Sequence, residues 1–460
     1  MTLIASISGI RGTLGGKSGD SLTPPDVVKY ACAYGAWLLE SNATPKVVMG
    51  RDARPSGPMI AGLVRESLRM MGISVVDLGL STTPTVEMAV VFEQAGGGII
   101  LTASHNPGNW NALKLLNAKG EFISAADGQR ILSLAEAGGF PFVESKKMGS
   151  LKEDTKALSK HIKAILELPE VDVDAITERK FRVMVDAVNS SGGIAVPMLL
   201  EALGVAHVEK LYCEPNGQFP HNPEPLPENL TVISSEIQKG KYDLGIVVDP
   251  DVDRLVFVNE DGSMFGEEYT LVAVADYVLS FNKGNTVSNL SSTRALQDVT
   301  EKAGASYNAA AVGEVNVVEK MKATDAVIGG EGNGGVIYPK LHYGRDALVG
   351  IALFLTHLAK KGVSASRLRA GYPNYHISKN KIELTPGTDV DSILLRVREK
   401  YAKQPANLED GVRMEFDKQW VHLRKSNTEP IIRIYSEADS RTTADALASK
   451  IIEDIKELLK

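Results

Sequence analysis

Apolar and polar positions follow two rhythms along the chain. Short, largely Val-rich runs recur through its longer first part: KVVMGRD (46–52), ISVVDLG (73–79), FRVMVDA (181–187), VAHVEKLY (205–212), NTVSNLS (285–291) and ASYNAAAVG (305–313). Such runs read as strands of sheets covered on both faces. Between the members of each pair lies a stretch with helical spacing. The first ends at Met71; the others are GIAVPMLLEAL (193–203) and RALQDVTEK (294–302). Gly72, Gly204 and Gly304 follow these helices, where a C-terminus favours a residue at positive φ. Strand, helix, glycine, strand thus occurs three times at unequal spacings, which predicts three consecutive, weakly related α/β units.

The tail has the other rhythm. GVRMEFDKQWVHLRKS (411–426) and PIIRIYSEA (430–438) alternate as half-buried strands do. SRTTADALASKIIEDIKELLK (440–460) is an amphipathic helix with Ser440 and Thr442 as candidate caps. An α+β module is therefore expected after a linker at AGYPNY (370–375). The expected boundaries are 1–145, 146–256, 257–368 and 369–460. The longest apolar run, Ala347 to Ala359, is broken by Gly350, Thr356 and His357 and is too short for a bilayer, so it predicts a buried helix.

Charge and cysteine content narrow the classes. A net charge of −7 over 460 residues argues against a nucleic-acid partner, since phosphate backbones select clustered Lys and Arg. Cys32 and Cys213 form neither a disulfide framework nor a zinc spacing and read as buried thiols of a reducing compartment. MTLIASISGIRGTLGG (1–16) has no basic leader. A cytoplasmic protein with a small-molecule ligand and no membrane partner is expected, as a monomer or homodimer.

Four loops carry chemistry. TASHNP (102–107) sets Ser104 beside His105 on a loop bent by Pro107, with Lys114 following. Adjacent side chains rarely face each other, and the Gly-x-Ser-x-Gly elbow is missing, so a hydrolase triad does not fit. In YDLGIVVDPDVDRLVFVNEDG (242–262), Asp249, Asp251 and Asp253 alternate after an apolar strand, so their carboxylates are expected to converge and to need a hard cation such as Mg²⁺ or Ca²⁺. An EF-hand would put its last ligand at Glu260, but Arg254 stands where that loop needs glycine. AVIGGEGNGGVIYP (326–339) has dinucleotide-type glycine spacing, yet Val336 to Pro339 look extended where that motif opens a helix. Its glycines would instead present Glu331 and Asn333 to hydroxyls or an amine of a sugar. LRKSNTEPIIR (423–433) gathers Arg424, Ser426, Asn427 and Thr428, a donor set for phosphate. Each of these three loops also admits the plain reading of a solvated turn.

Together, and in this order, the loops resemble those of the α-D-phosphohexomutase superfamily over essentially the whole chain. Thr-Ala-Ser-His-Asn-Pro and Asp-Pro-Asp-Val-Asp-Arg carry the resemblance most specifically. It implies three related α/β/α domains with mixed sheets and a C-terminal α+β domain around a central cleft. It implies a phosphoserine at Ser104, primed by a hexose 1,6-bisphosphate, and Mg²⁺ held by Ser104, Asp249, Asp251 and Asp253. Lys114 and Arg11 would face the transferred phosphoryl, with His105 as a hydrogen-bonding or proton-relaying neighbour. Arg254, Gly313, Glu331 and Asn333 would bind the sugar, and Arg424, Ser426, Asn427 and Thr428 its other phosphate. The chain departs from the family at Gly335, where many relatives have histidine. His342 and Arg345 are candidates to supply the lost donors. The implied reaction interconverts hexose 6- and 1-phosphates, with glucosamine preferred over glucose or mannose. A metal-dependent phosphatase and a silent sugar-phosphate-binding protein are the other readings.

Overall fold

The computed structural model describes residues 2–6, 9–385, 387–426 and 431–459. Three mixed α/β sheets follow one another, and an antiparallel sheet closes the chain. In each of the first three sheets a four-strand repeat lies in the same spatial order: fourth, third, first, second. The first repeat comprises Lys46–Arg51, Ser74–Leu80, Gly97–Leu101 and Trp110–Leu116. The second comprises Arg182–Asp186, His207–Leu211, Leu244–Val248 and Leu255–Asn259, which carries that sheet past residue 256. The third comprises Asn285–Asn289, Tyr307–Ala310, Ala326–Glu331 and Gly335–Ile337. The first three strands of each repeat are parallel, and the fourth returns antiparallel. The first sheet is extended by Ile4–Ser6 and Gly9–Thr13 at one edge and by Leu151–Glu153, beyond residue 145, at the other.

The glycines that punctuate the repeats do what their positions predict: φ is +81° at Gly72, +73° at Gly204 and +73° at Gly304. Ala347–Lys361 is the expected buried helix, with every side chain from Ala347 to Leu358 enclosed. It lies in a continuous apolar core that runs from Ile162 to Tyr372 and joins the second and third units. No helix among the described residues is long and apolar enough to cross a membrane. Cys32 is buried, but Cys213 is only half-buried.

In the tail, His376–Glu383, Ile431–Ala438, Gln419–Lys425, Val412–Phe416 and Ala406–Asn407 form one antiparallel sheet in that order. The helices Val390–Lys400 and Arg441–Leu458 pack on it through Ile393, Val397, Ile451 and Ile455. Ser440 caps the last helix by accepting a hydrogen bond from the Thr443 amide, whereas Thr442 lies inside it.

Candidate active site

The shared strand order puts three chemistry-bearing loops in equivalent places. Each is the connection from third to fourth strand: 102–109, 249–254 and 332–334. Each contains a residue in the left-handed region, with φ +47° at Ser104, +65° at Val252 and +87° at Gly334. A side chain at position 334 would run into the Leu255 carbonyl, so glycine there lets the third loop press against the strand leaving the second.

Ser104 is only 7% exposed, and Arg54, wholly buried, builds its loop. Arg54 Nη2 donates to the carbonyls of Ser104 and Asn106, at 2.6 and 2.7 Å. Nη1 donates to those of Pro107 and Trp110. Asp52 accepts from Arg54 Nε at 2.9 Å and from the Thr102 hydroxyl at 2.7 Å, and that hydroxyl accepts from the Ser104 amide. The serine is thus fixed by a guanidinium that reads backbone oxygens. Its hydroxyl donates to Asp249 Oδ2 at 2.7 Å, and His105 Nδ1 lies 3.4 Å from it. Burial, reinforced by Arg254, pushes the His105 imidazole down to about 2, so it is neutral here.

Asp249, Asp251 and Asp253 are fully buried, and each offers an oxygen within 4.8 Å of the others. Their convergence has a different cause from the strand alternation that anticipated it. The strand stops at Val248, and a turn through Pro250 and the left-handed Val252 brings the carboxylates together. The Ser190 and Ser191 hydroxyls both hold the Pro250 carbonyl. Lys114 Nζ donates to Asp251 at 2.6 Å and to Asp253 at 3.1 Å, reaching the triad from the first sheet. Arg345 Nη2 reaches Asp253 from the third unit at 2.8 Å. Burial alone would lower the Lys114 pKa, but Asp251 and Asp253 outweigh it and hold the ammonium charged. The Asp249 carboxyl is pushed well up by burial and then by Asp251 and Asp253. In Asp251 the burial penalty is overcome by Lys114, which keeps it ionised.

Arg345 also organises the third loop. Nε donates to Glu314 at 2.9 Å and Nη1 to Glu331 at 3.0 Å, so one buried guanidinium joins Asp253, Glu314 and Glu331. Glu331 also accepts from Asn289 Nδ2 at 2.8 Å and from the Gly313 amide at 3.1 Å, and Asn333 Nδ2 lies 3.5 Å from it. Gly335 explains the departure noted in the sequence. A Cβ there would stand 2.4 Å from Arg345 Cδ, so the arginine occupies the room a histidine would need. His342 is not brought to this loop: its ring nitrogens turn to Asp346 and Glu87, because Asp346 caps the helix that follows. Arg254 lies 3.5 Å from Glu224, and its amide donates to Asp249 Oδ1.

In the tail, Arg424 Nε pairs with Asp410 at 3.0 Å, and Asp410 also accepts from the Val312 amide at 3.0 Å. The last module therefore contacts the third unit one residue before Gly313. Ser426 ends the strand pair through its amide on the Ile431 carbonyl. Asn427 and Thr428 lie outside the described residues. Arg11, on Gly9–Thr13, is not hydrogen-bonded to Ser104 or the triad among the described residues. Its pKa is lowered by burial and by the charge of Arg433 in the last sheet, so the first and last units face each other with cations.

The comparisons with known proteins agree with this arrangement throughout its length. The chain matches phosphoglucomutase/phosphomannomutase alpha/beta/alpha domains I, II and III over residues 4–141, 159–262 and 266–375, and the C-terminal domain over 388–454. It belongs to the phosphoglucomutase/phosphomannomutase family. A phosphoglucomutase/phosphomannomutase of Thermococcus kodakarensis is 34% identical over 98% of this chain and 99% of its own. A phosphoglucosamine/phosphogalactosamine mutase of Sulfurisphaera tokodaii is 30% identical over 96% and 97%. Among solved structures, a family protein from Burkholderia thailandensis superposes with a TM-score of 0.86 at 26% identity, covering 99% of this chain and 97% of that one.

The triad of this family member fits a divalent cation on structural grounds. Asp251 Oδ1 and Asp253 Oδ1 are buried and accept no hydrogen bond among the described residues, although a carboxylate oxygen hidden without a partner is costly. An all-oxygen donor set of this kind suits Mg²⁺. Two residues of this phosphoglucomutase/phosphomannomutase site escaped the sequence reading. Arg54 sits in GRDARPSG (50–57), where a charged cluster directly after a buried strand was the available signal. Thr83, whose hydroxyl donates to Asp251, gave no signal beyond its place beside Pro84.

Proposed function

We propose that this phosphohexomutase interconverts hexosamine 6-phosphate and 1-phosphate by way of a phosphorylated Ser104 and a bound 1,6-bisphosphate. The carrying observation is the meeting of Ser104 Oγ, at 2.7 Å, with an aspartate triad already braced by Lys114 and Arg345. Phosphoryl transfer asks chiefly for placement and neutralised charge, and this site supplies both. Asp249, Asp251 and Asp253 would hold Mg²⁺, which when bound withdraws charge from the phosphoryl oxygens and from Ser104 Oγ.

The residues divide the remaining work. A sugar hydroxyl attacks the phosphorus, and the bond from phosphorus to Ser104 Oγ breaks. The proton leaving the hydroxyl ends on Ser104 Oγ, and the neutral His105 imidazole is placed to relay it. Lys114 offsets charge on the equatorial oxygens. The bisphosphate then turns end for end and returns its other phosphate to Ser104. Arg424, Ser426, Asn427 and Thr428, on the last module, would grip whichever phosphate is not reacting, and Arg11 of the first unit would add its positive charge opposite Arg433 of the last. Glu331, Asn333 and Gly313 would read the sugar.

Preference for an amino sugar has a physical basis. Asp253 is shared between Lys114 and Arg345, and Glu314 and Glu331 add two further carboxylates about Arg345, which leaves that end of the cleft acidic and suited to an ammonium group. Assaying one preparation on glucosamine, glucose and mannose 6-phosphates, with and without added 1,6-bisphosphate, tests the reading. Preference for glucosamine 6-phosphate and stimulation by bisphosphate are expected. Release of inorganic phosphate without isomerisation would instead make it a phosphatase.

A further inference from the structure

Behind the triad, where the first three units meet, lies a second polar cluster that the mutase chemistry does not use. His161 comes from the helix Ala157–Leu166, and Asp346 from the N-cap of Ala347–Lys361. His342 lies on the preceding loop, and Glu87 and Thr85 on the helix Thr83–Phe92. His161, Asp346 and Glu87 are at most 2% exposed. Both imidazoles turn Nε2 to the same oxygen, Asp346 Oδ2, at 2.9 Å for His161 and 3.3 Å for His342. The other oxygen, Oδ1, is taken by the helix amides of Leu348 and Val349.

The far sides of the two rings are matched as well. His161 Nδ1 meets the Thr85 hydroxyl at 3.0 Å, and His342 Nδ1 faces Glu87 Oε2 at 3.4 Å. Hydrogen bonds within the protein leave this cluster incomplete. Both Glu87 oxygens and His342 Nδ1 are buried without a hydrogen-bond partner among the described residues.

We propose that His161 Nε2, His342 Nε2 and Asp346 Oδ2 form a second metal site, for a divalent transition ion of the Zn²⁺ class. Two imidazoles and one carboxylate select such an ion over Mg²⁺. Tetrahedral ligand atoms about 2.0–2.1 Å from Zn²⁺ stand about 3.3 Å apart, close to the 2.9 and 3.3 Å that separate the two nitrogens from Asp346 Oδ2. A metal-bound histidine normally gives its other N–H to a carboxylate or similar acceptor; the Thr85 hydroxyl stands in that place for His161, and Glu87 is positioned to take it for His342. One ion would tie the second and third units together, with the first joined through Thr85 and Glu87, close to Thr83 and Arg345, which touch Asp251 and Asp253. Its role is to fix the triad loop in space.

The test uses the full chain, stripped of metal and returned to excess Mg²⁺ so that the aspartate triad is saturated. Titration with Co²⁺ should then give a single equivalent of binding with the intense visible bands of a low-coordinate nitrogen–oxygen site. Zn²⁺ should displace it and raise the melting temperature, because binding to the folded state alone stabilises it. His342→Gln and His161→Gln should each abolish the bands, while Asp249→Asn should keep them. Absence of such binding in the unaltered chain would overturn the proposal, and so would bands that persist in both histidine variants. The measurement on the unaltered chain stands even if a variant fails to fold.

Discussion

The serine loop and the aspartate loop occupy the same place in two copies of one repeat, yet they are held by opposite means. In the first, the buried cation Arg54 draws in four carbonyl oxygens. In the second, Asp249 Oδ1 accepts the amides of Asp253 and Arg254, and serine hydroxyls hold the Pro250 carbonyl. The repeat decides where a loop stands; the side chains beneath it decide what charge it can carry. On the proposed chemistry, the loop that would bear a phosphate rests on a cation, and the loop that would bind a cation is left rich in carboxylate oxygen.

The sharpest way to break this pairing is to remove what passes between the loops. Ser104→Ala should lose several orders of magnitude in turnover while its melting temperature shifts little, since one hydrogen bond contributes about 0.5–1.5 kcal/mol. Mapping of a labile phosphate to any other residue would contradict it. Chelation should silence the enzyme to a similar degree, and Mg²⁺ alone should restore activity better than Ca²⁺, whose coordination is looser. Full turnover after exhaustive chelation would separate the aspartates from the chemistry.

Arg54 allows one loop to be disturbed without the other. Arg54→Met leaves Asp52 as a buried, uncompensated charge and should cost about 3–5 kcal/mol, read as a lowered melting midpoint. Arg54→Lys keeps the charge but loses the fork, so it should fold better while turnover per folded molecule still falls. Equal kinetics in Arg54→Lys and the unaltered enzyme would mean that the carbonyl contacts do not position Ser104.

The tail loop comes next in size. Arg424→Ala removes a contact to phosphate worth about 1.5–3 kcal/mol, so efficiency should drop roughly 10- to 150-fold in both reaction directions. A loss confined to stability would assign Arg424 to its Asp410 pair alone. The smallest effect is expected at the third loop. Gly335→Ala must displace the Arg345 stem, at about 1–3 kcal/mol, and should raise KM for the sugar more than it lowers kcat.

Much of this was readable beforehand, and the gaps have physical causes. The three units were legible because buried parallel strands and helix-ending glycines leave marks a few residues long. The convergence of Asp249, Asp251 and Asp253 was anticipated, but its source, the left-handed Val252, was not, since a valine gives no warning of positive φ. Arg54 was invisible in its role because its partners are backbone oxygens about fifty residues on, and any residue supplies those. The helix Val390–Lys400 was passed over although Asp389 caps it and Ile393, Leu394 and Val397 are buried along one side. The strand His376–Glu383, mostly polar and only partly buried, offered almost no apolar signal.

The close approach of Gly335 to Arg345 has a consequence for what the sugar loop of this chain can tolerate. A histidine at 335 would compete with the Arg345 stem for one volume, so it cannot enter this chain without displacing that arginine. Gly335→His alone should therefore lower the melting temperature and the yield of folded protein. Shortening Arg345 at the same time would open the room, but it would leave Asp253, Glu314 and Glu331 without their shared cation, so the position is held from both sides.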